Sequence, residues 1–140
     1  MRPEDQVVSL RVARALRKAG WPQDPWHNCF YYRAVNFQET SWRVVSPHMI
    51  IDRAFRPKIA APTAAELGPS LPGEIYIPFK NGKRRKNPHH LVIQRRLVDT
   101  AWNVKYVCRS REWLRMRGQN VADAQARMWI ALRKRNLLPV

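Results

Sequence analysis

The densest chemistry in this chain lies in one short run, Lys80-Asn81-Gly82-Lys83-Arg84-Arg85-Lys86, where five residues of seven are cations. Several cations on one projecting turn displace condensed counterions from a phosphate backbone, the principal source of sequence-independent affinity for nucleic acid. The plainer role for such a run is a hairpin tip kept basic for solubility and edge protection. A second run, Arg109-Ser110-Arg111-Glu112-Trp113-Leu114-Arg115-Met116-Arg117, interleaves four arginines with one tryptophan. Arginine forks onto phosphate, and an exposed indole stacks on an unpaired base. Trp113 and Leu114 serve equally well as anchors that tie the segment to a core. Lys80, Lys83, Arg84, Arg85 and Lys86 are therefore the expected main phosphate contacts, with Arg109, Arg111, Arg115 and Arg117 extending the track.

The whole chain leans the same way. It carries 26 Lys plus Arg against 10 Asp plus Glu, a formal charge of +16 in 140 residues. A surplus of that size spreads positive potential over much of the surface and draws in polyanions. Other cations have local explanations. Arg133, Lys134 and Arg135 sit where a helix ends and meet the negative end of its dipole. Arg11, Arg14 and Lys18 recur on one helical face that water can solvate.

Catalytic patterns are missing. His89 and His90 are neighbours on an expected strand and point to opposite faces, so they cannot easily share a metal. His48 and Asp52 have i, i+4 spacing without a helical pattern beneath them, and His27 with Cys29 lacks further ligands nearby. There is no phosphate-cradling glycine loop, zinc-helix motif or nucleophile elbow. The expectation is a binding protein that is not an enzyme and has no metal or cofactor; a nuclease is the weakest of three readings. Cys29 and Cys108, the two cysteines, fall in strand-like runs and are expected as buried free thiols in a reducing compartment.

The elements that must position these residues follow from periodicity and breakers. Residues 3–20 read as a helix, with Leu10, Ala13 and Leu16 at helical spacing, Ser9 as an alternative cap and Gly20-Trp21-Pro22 as the stop. Residues 29–35 and 41–45 read as a hairpin, and 48–61 as an irregular connection. Thr63-Ala64-Ala65-Glu66 is a capping box that starts a short helix carrying Leu67 and Leu71 inward. Residues 74–79 form an expected strand, followed by an Asn81-Gly82 turn of the type I′ kind. Strands over 90–98 and 101–108 come next, the latter with Trp102, Val104, Tyr106 and Cys108 alternating with polar positions. Asn120 with Asp123 opens a last helix, ending near Asn136, whose inward stripe is Val121, Ala124, Met128 and Leu132.

The order α-ββ-α-βββ-α, with short turns between consecutive strands, predicts a single α+β domain over residues 1–140, its antiparallel sheet covered by helices on one face. No apolar run approaches the roughly 20 residues of a membrane span.

Three segments together resemble small uncharacterised proteins encoded by tailed phages and prophages. They are Val8-Ser9-Leu10 with Ala13, Leu16 and Gly20-Trp21-Pro22-Gln23; Ala61-Pro62-Thr63-Ala64-Ala65-Glu66-Leu67-Gly68; and Ala122-Asp123-Ala124-Gln125-Ala126-Arg127-Met128-Trp129-Ile130. The resemblance implies a phage or prophage origin, action in the bacterial cytoplasm and the same α+β layout, and it carries over no active-site residue. Those relatives tend to have acidic residues on the first and last helices, where this chain has Arg11, Arg17, Lys18 and Arg127. Polyanion binding would then belong to this chain in particular. The expected function is nucleic-acid binding by a small phage accessory protein. The rival is an interaction protein that inhibits or sequesters a host component, such as a defence enzyme, or an anionic nucleotide signal.

Overall fold

Ser9 decides where the first long helix begins. Its hydroxyl accepts the Val12 N–H at 3.4 Å, and α1 (Leu10–Ala19) runs from there to Gly20, whose φ of 100° closes the last turn. The helix is shorter than the expected 3–20. Pro3–Asp5 form a separate 3₁₀ turn, and Val7 and Val8 are fully buried in extended chain, bridged to Thr63 and bonded to Pro62 O. Burying two adjacent valines against another segment requires extension there, so the helix starts at the later cap. The computed structural model describes residues 2–36, 38–46, 58–79, 81–83 and 85–138.

Two antiparallel sheets follow. In the first, β1 (Tyr31–Ala34) lies between β2 (Trp42–Val45) and β3 (Lys58–Ala60). The β1–β2 hairpin matches the sequence pattern. By contrast, β3 falls in the stretch expected to be irregular; three residues are too few to show periodicity, and pairing with β1 supplies the order. Residues 48–57 of that stretch, with His48 and Asp52, lie outside the described residues. Cys29 precedes β1, is exposed, and donates its N–H to Glu66 Oε1 at 2.6 Å, so the buried thiol expected there is not found; Cys108 is half-buried, and both thiols are free.

The capping box is in place: α2 (Ala64–Leu67) starts where the Glu66 carboxylate reaches back to accept the Thr63 N–H and hydroxyl, both at 2.5 Å. Leu67 and Leu71 are buried, as the pattern predicts.

The second sheet has the order β4 (Glu74–Ile75), β5 (His89–Arg95), β6 (Trp102–Cys108), β7 (Arg111–Gly118), all neighbours antiparallel. The strand expected over 74–79 pairs with β5 through Glu74 and Ile75 alone; Pro78, having no N–H, cannot continue a ladder on its donor side. An additional strand, β7, occupies the second arginine-rich run. The hydrogen bonds also place the 79–83 turn one residue earlier than a type I′ pair at Asn81-Gly82 would. Gly82 N–H bonds Phe79 O and Phe79 N–H bonds Lys83 O, with Gly82 at φ 82°.

Helix α3 (Val121–Lys134) lies against β6, β7, α1 and α2. Asn120 caps it, accepting the Asp123 N–H at 2.8 Å and donating to Val7 O at 3.0 Å, while Asp123 accepts the Ser9 N–H at 2.6 Å. The starts of both long helices are thereby joined. Met128 and Leu132 are buried and Arg127 and Lys134 exposed, as the stripe predicts. Trp21 and Trp129 meet edge to face at 5.2 Å, and the same buried cluster includes Leu16, Tyr31, Val104 and Tyr106. The architecture is α+β with helices packed on antiparallel sheet. Among the described residues no helix is long and apolar enough to cross a membrane.

Candidate nucleic-acid interface

Antiparallel pairing gathers the start of β5, the end of β6 and the start of β7 at one end of the second sheet: His90 lies opposite Val107, and Cys108 opposite Arg111. The segment that leads into β5 arrives at the same end. Together they enclose a cleft of about 760 Å³, lined by Phe79, Lys83, Arg85, Lys86, Asn87, His89, Cys108, Arg109, Arg111, Glu112 and Trp113. The two basic runs, more than twenty residues apart in the chain, thus face one space. Lys83, Arg85, Lys86, Arg109 and Arg111 are brought together; Lys80 and Arg84 lie outside the described residues.

Local geometry explains each side. On the first, the two bonds among Phe79, Gly82 and Lys83 fix the turn, and the Arg85 guanidinium lies 4.9 Å from the Phe79 ring centroid. On the second, Arg109 and Ser110 form the two-residue β6–β7 turn with φ of 48° and 68°. Positive φ at both positions matches the twist of the flanking strands. Without glycine, it costs about 1 kcal/mol or more per residue. The register then shifts: Val107 faces Glu112 while Tyr106 faces Leu114, leaving Trp113 as the extra residue of a bulge. Trp113 is half-buried, packs on the core and carries Arg135 5.7 Å from its ring, so it anchors the strand and lines the cleft at once.

Charge separates the two halves of the second run. None of the five cleft cations has an acidic partner among the described residues. Glu112, the acid in the lining, is already engaged by Arg115 and by Lys105 at 2.9 Å, and these hydrogen bonds hold its pKa down to about 2. Arg117 pairs with Asp99, which also meets Arg96 at 3.5 Å. Arg115 and Arg117 sit opposite Lys105 and Asn103 in the register, on the face away from Leu114 and Met116. They do not line the cleft, and each shares a carboxylate with a second cation.

His89 was not singled out as a binding residue by its sequence. It is 5 % exposed, lines the cleft, and its Nδ1 has no hydrogen-bond partner among the described residues. Burial, then the nearby Arg85 and His90, push its pKa below the usual imidazole value, so the ring is neutral at pH 7. Strand alternation was the available signal, since it turns one histidine of the pair inward; His90 is exposed beside Glu74 at 3.5 Å. Elsewhere, His27 bonds Asp24 at 2.7 Å on the surface, and among the described residues no three His, Cys, Asp or Glu side chains gather as a metal site.

Comparison with protein-family models, with curated proteins and with solved structures finds no match for this chain.

Proposed function

We propose that this chain binds nucleic acid through the cleft between Phe79, Lys83, Arg85 and Lys86 on one side and the β6–β7 turn on the other, as a small cytoplasmic accessory protein of phage or prophage origin. The observation that carries the proposal is that Lys83, Arg85, Lys86, Arg109 and Arg111 stand around one cleft without an acidic partner among the described residues, while Arg115 and Arg117 are paired with acids. Clustered cations without counter-charges repel one another, and a polyanion relieves that repulsion while releasing its counterions. The net charge of +16 adds long-range attraction.

Fluorescence-anisotropy titration with labelled oligonucleotides tests this. Serine at all five cleft positions is expected to weaken binding on the order of a hundredfold, alike for unrelated sequences, because phosphate contacts carry no base information. Arg115→Ser with Arg117→Ser is the control and is expected to change affinity by less than about threefold. Equal losses in the two variants would place the interface elsewhere.

The concavity of the cleft favours a second reading, sequestration of a free anionic nucleotide. Purification with and without nuclease, followed by the 260/280 absorbance ratio and analysis of released small molecules, separates the two.

A further inference from the structure

The cleft has a charged rim over an apolar and aromatic wall. Lys83, Lys86, Arg109 and Arg111 are exposed, whereas Trp113 and Cys108 are half-buried and His89 is buried; Phe79, 48 % exposed, stands at the mouth. Track-like binding of a duplex needs only the rim, because a duplex keeps its bases stacked inside and offers phosphates alone to such a surface. The wall is therefore left without a use if the ligand is a duplex.

We infer that the cleft receives the base of a single unpaired nucleotide within a strand: Phe79 supplies a stacking face, and the rim cations hold the flanking phosphates. This rests on the nucleic-acid reading above. Two observations carry it. First, about 760 Å³ is the size of a small-molecule site, ample for one nucleotide. Second, the Phe79 backbone is pinned by its bonds to Gly82 and Lys83, and Arg85 stands against its ring, so the aromatic face is presented in a fixed place. Cations lie on both sides of the cleft, which suits phosphates before and after the inserted base and favours a strand over a free nucleotide.

The test is anisotropy at fixed low salt with three labelled probes: oligothymidylate, the same strand paired with oligoadenylate, and an abasic strand of equal length. Wild type is expected to bind the single strand about tenfold more tightly than either the duplex or the abasic strand, the scale of one base–aromatic stack. Phe79→Leu should erase that preference, bringing the ratio of single-strand to duplex affinity to about one, and Phe79→Trp should keep it. Free thymidine monophosphate should fail to displace the strand at equal phosphate concentration. Equal affinity of wild type for all three probes would overturn the inference and leave nucleic-acid binding standing, and ready displacement by the free nucleotide would overturn the strand assignment. Absence of binding to every probe would instead overturn the proposed function itself.

Discussion

The Arg85 guanidinium stands 4.9 Å from the centroid of the Phe79 ring, across a turn that Gly82 and Lys83 close on Phe79. A cation against an aromatic ring contributes about 0.5–1 kcal/mol at an exposed site and fixes the direction of the guanidinium more than the stability of the fold. Arg85 is thereby tied to the Phe79 side of the cleft whose other side carries Arg109 and Arg111. The proposed interface rests on this kind of local positioning at both edges of the cleft.

Gly118 ends β7 where α3 begins, and the helix start is pressed against it. A Cβ there would stand 2.4 Å from Ala124 N and 2.8 Å from Asp123 Cβ, both parts of a capped first turn that cannot give way. Gly118→Ala is expected to destabilise the protein by about 3 kcal/mol, the upper part of the range for overpacked sites. Urea denaturation measures this, and a loss below about 1 kcal/mol would mean that the junction adjusts.

Much of this scaffold was legible because it is written locally. Asn120 with Asp123, Thr63 with Glu66, and Ser9 ahead of Val12 are caps whose partners lie three residues away, and all three form. β7 was not legible as a strand, because the bulge at Trp113 breaks the alternation and its outward positions are arginines that read as a solvated loop. The short β3 and the curtailed β4 depend on distant partners. At the site, charge density marked both basic runs. Their meeting, and the separation of Arg115 and Arg117 from it, follows from the order of β5, β6 and β7, which no local pattern encodes.

Ser110, at φ 68° in the β6–β7 turn, carries backbone strain that glycine would not. Ser110→Gly is expected to raise stability by about 0.5–1 kcal/mol, the left-handed penalty of a side chain less the extra chain entropy of glycine. Affinity for oligonucleotides should stay the same, because Arg109 and Arg111 remain in place. Thermal and urea unfolding check it; a destabilised variant would show that the turn holds some other conformation in solution.

His89 gives the fold a dependence on pH. Its folded pKa lies below the ordinary 6.5, so between that folded value and about 6.5 the unfolded chain binds more protons. Stability from this group is complete above about pH 6.5 and falls as the pH drops through that window. His89→Gln removes the titration. The difference in unfolding free energy between wild type and variant should shrink on acidification from about pH 7.5 to about pH 5. Urea titrations across that range read it directly, and a difference that does not vary with pH would mean that the imidazole is solvated.

If Lys83, Arg85, Lys86, Arg109 and Arg111 act together on phosphates, as proposed, the salt dependence of binding reports it. The slope of log K against log salt counts the contacts, at about 0.7 per phosphate on a single strand and 0.9 on a duplex. With serine at all five positions and folding verified by circular dichroism, the slope on a single strand is expected to flatten by roughly 3.5 units if every contact is made. An unchanged slope in the folded variant would contradict the account.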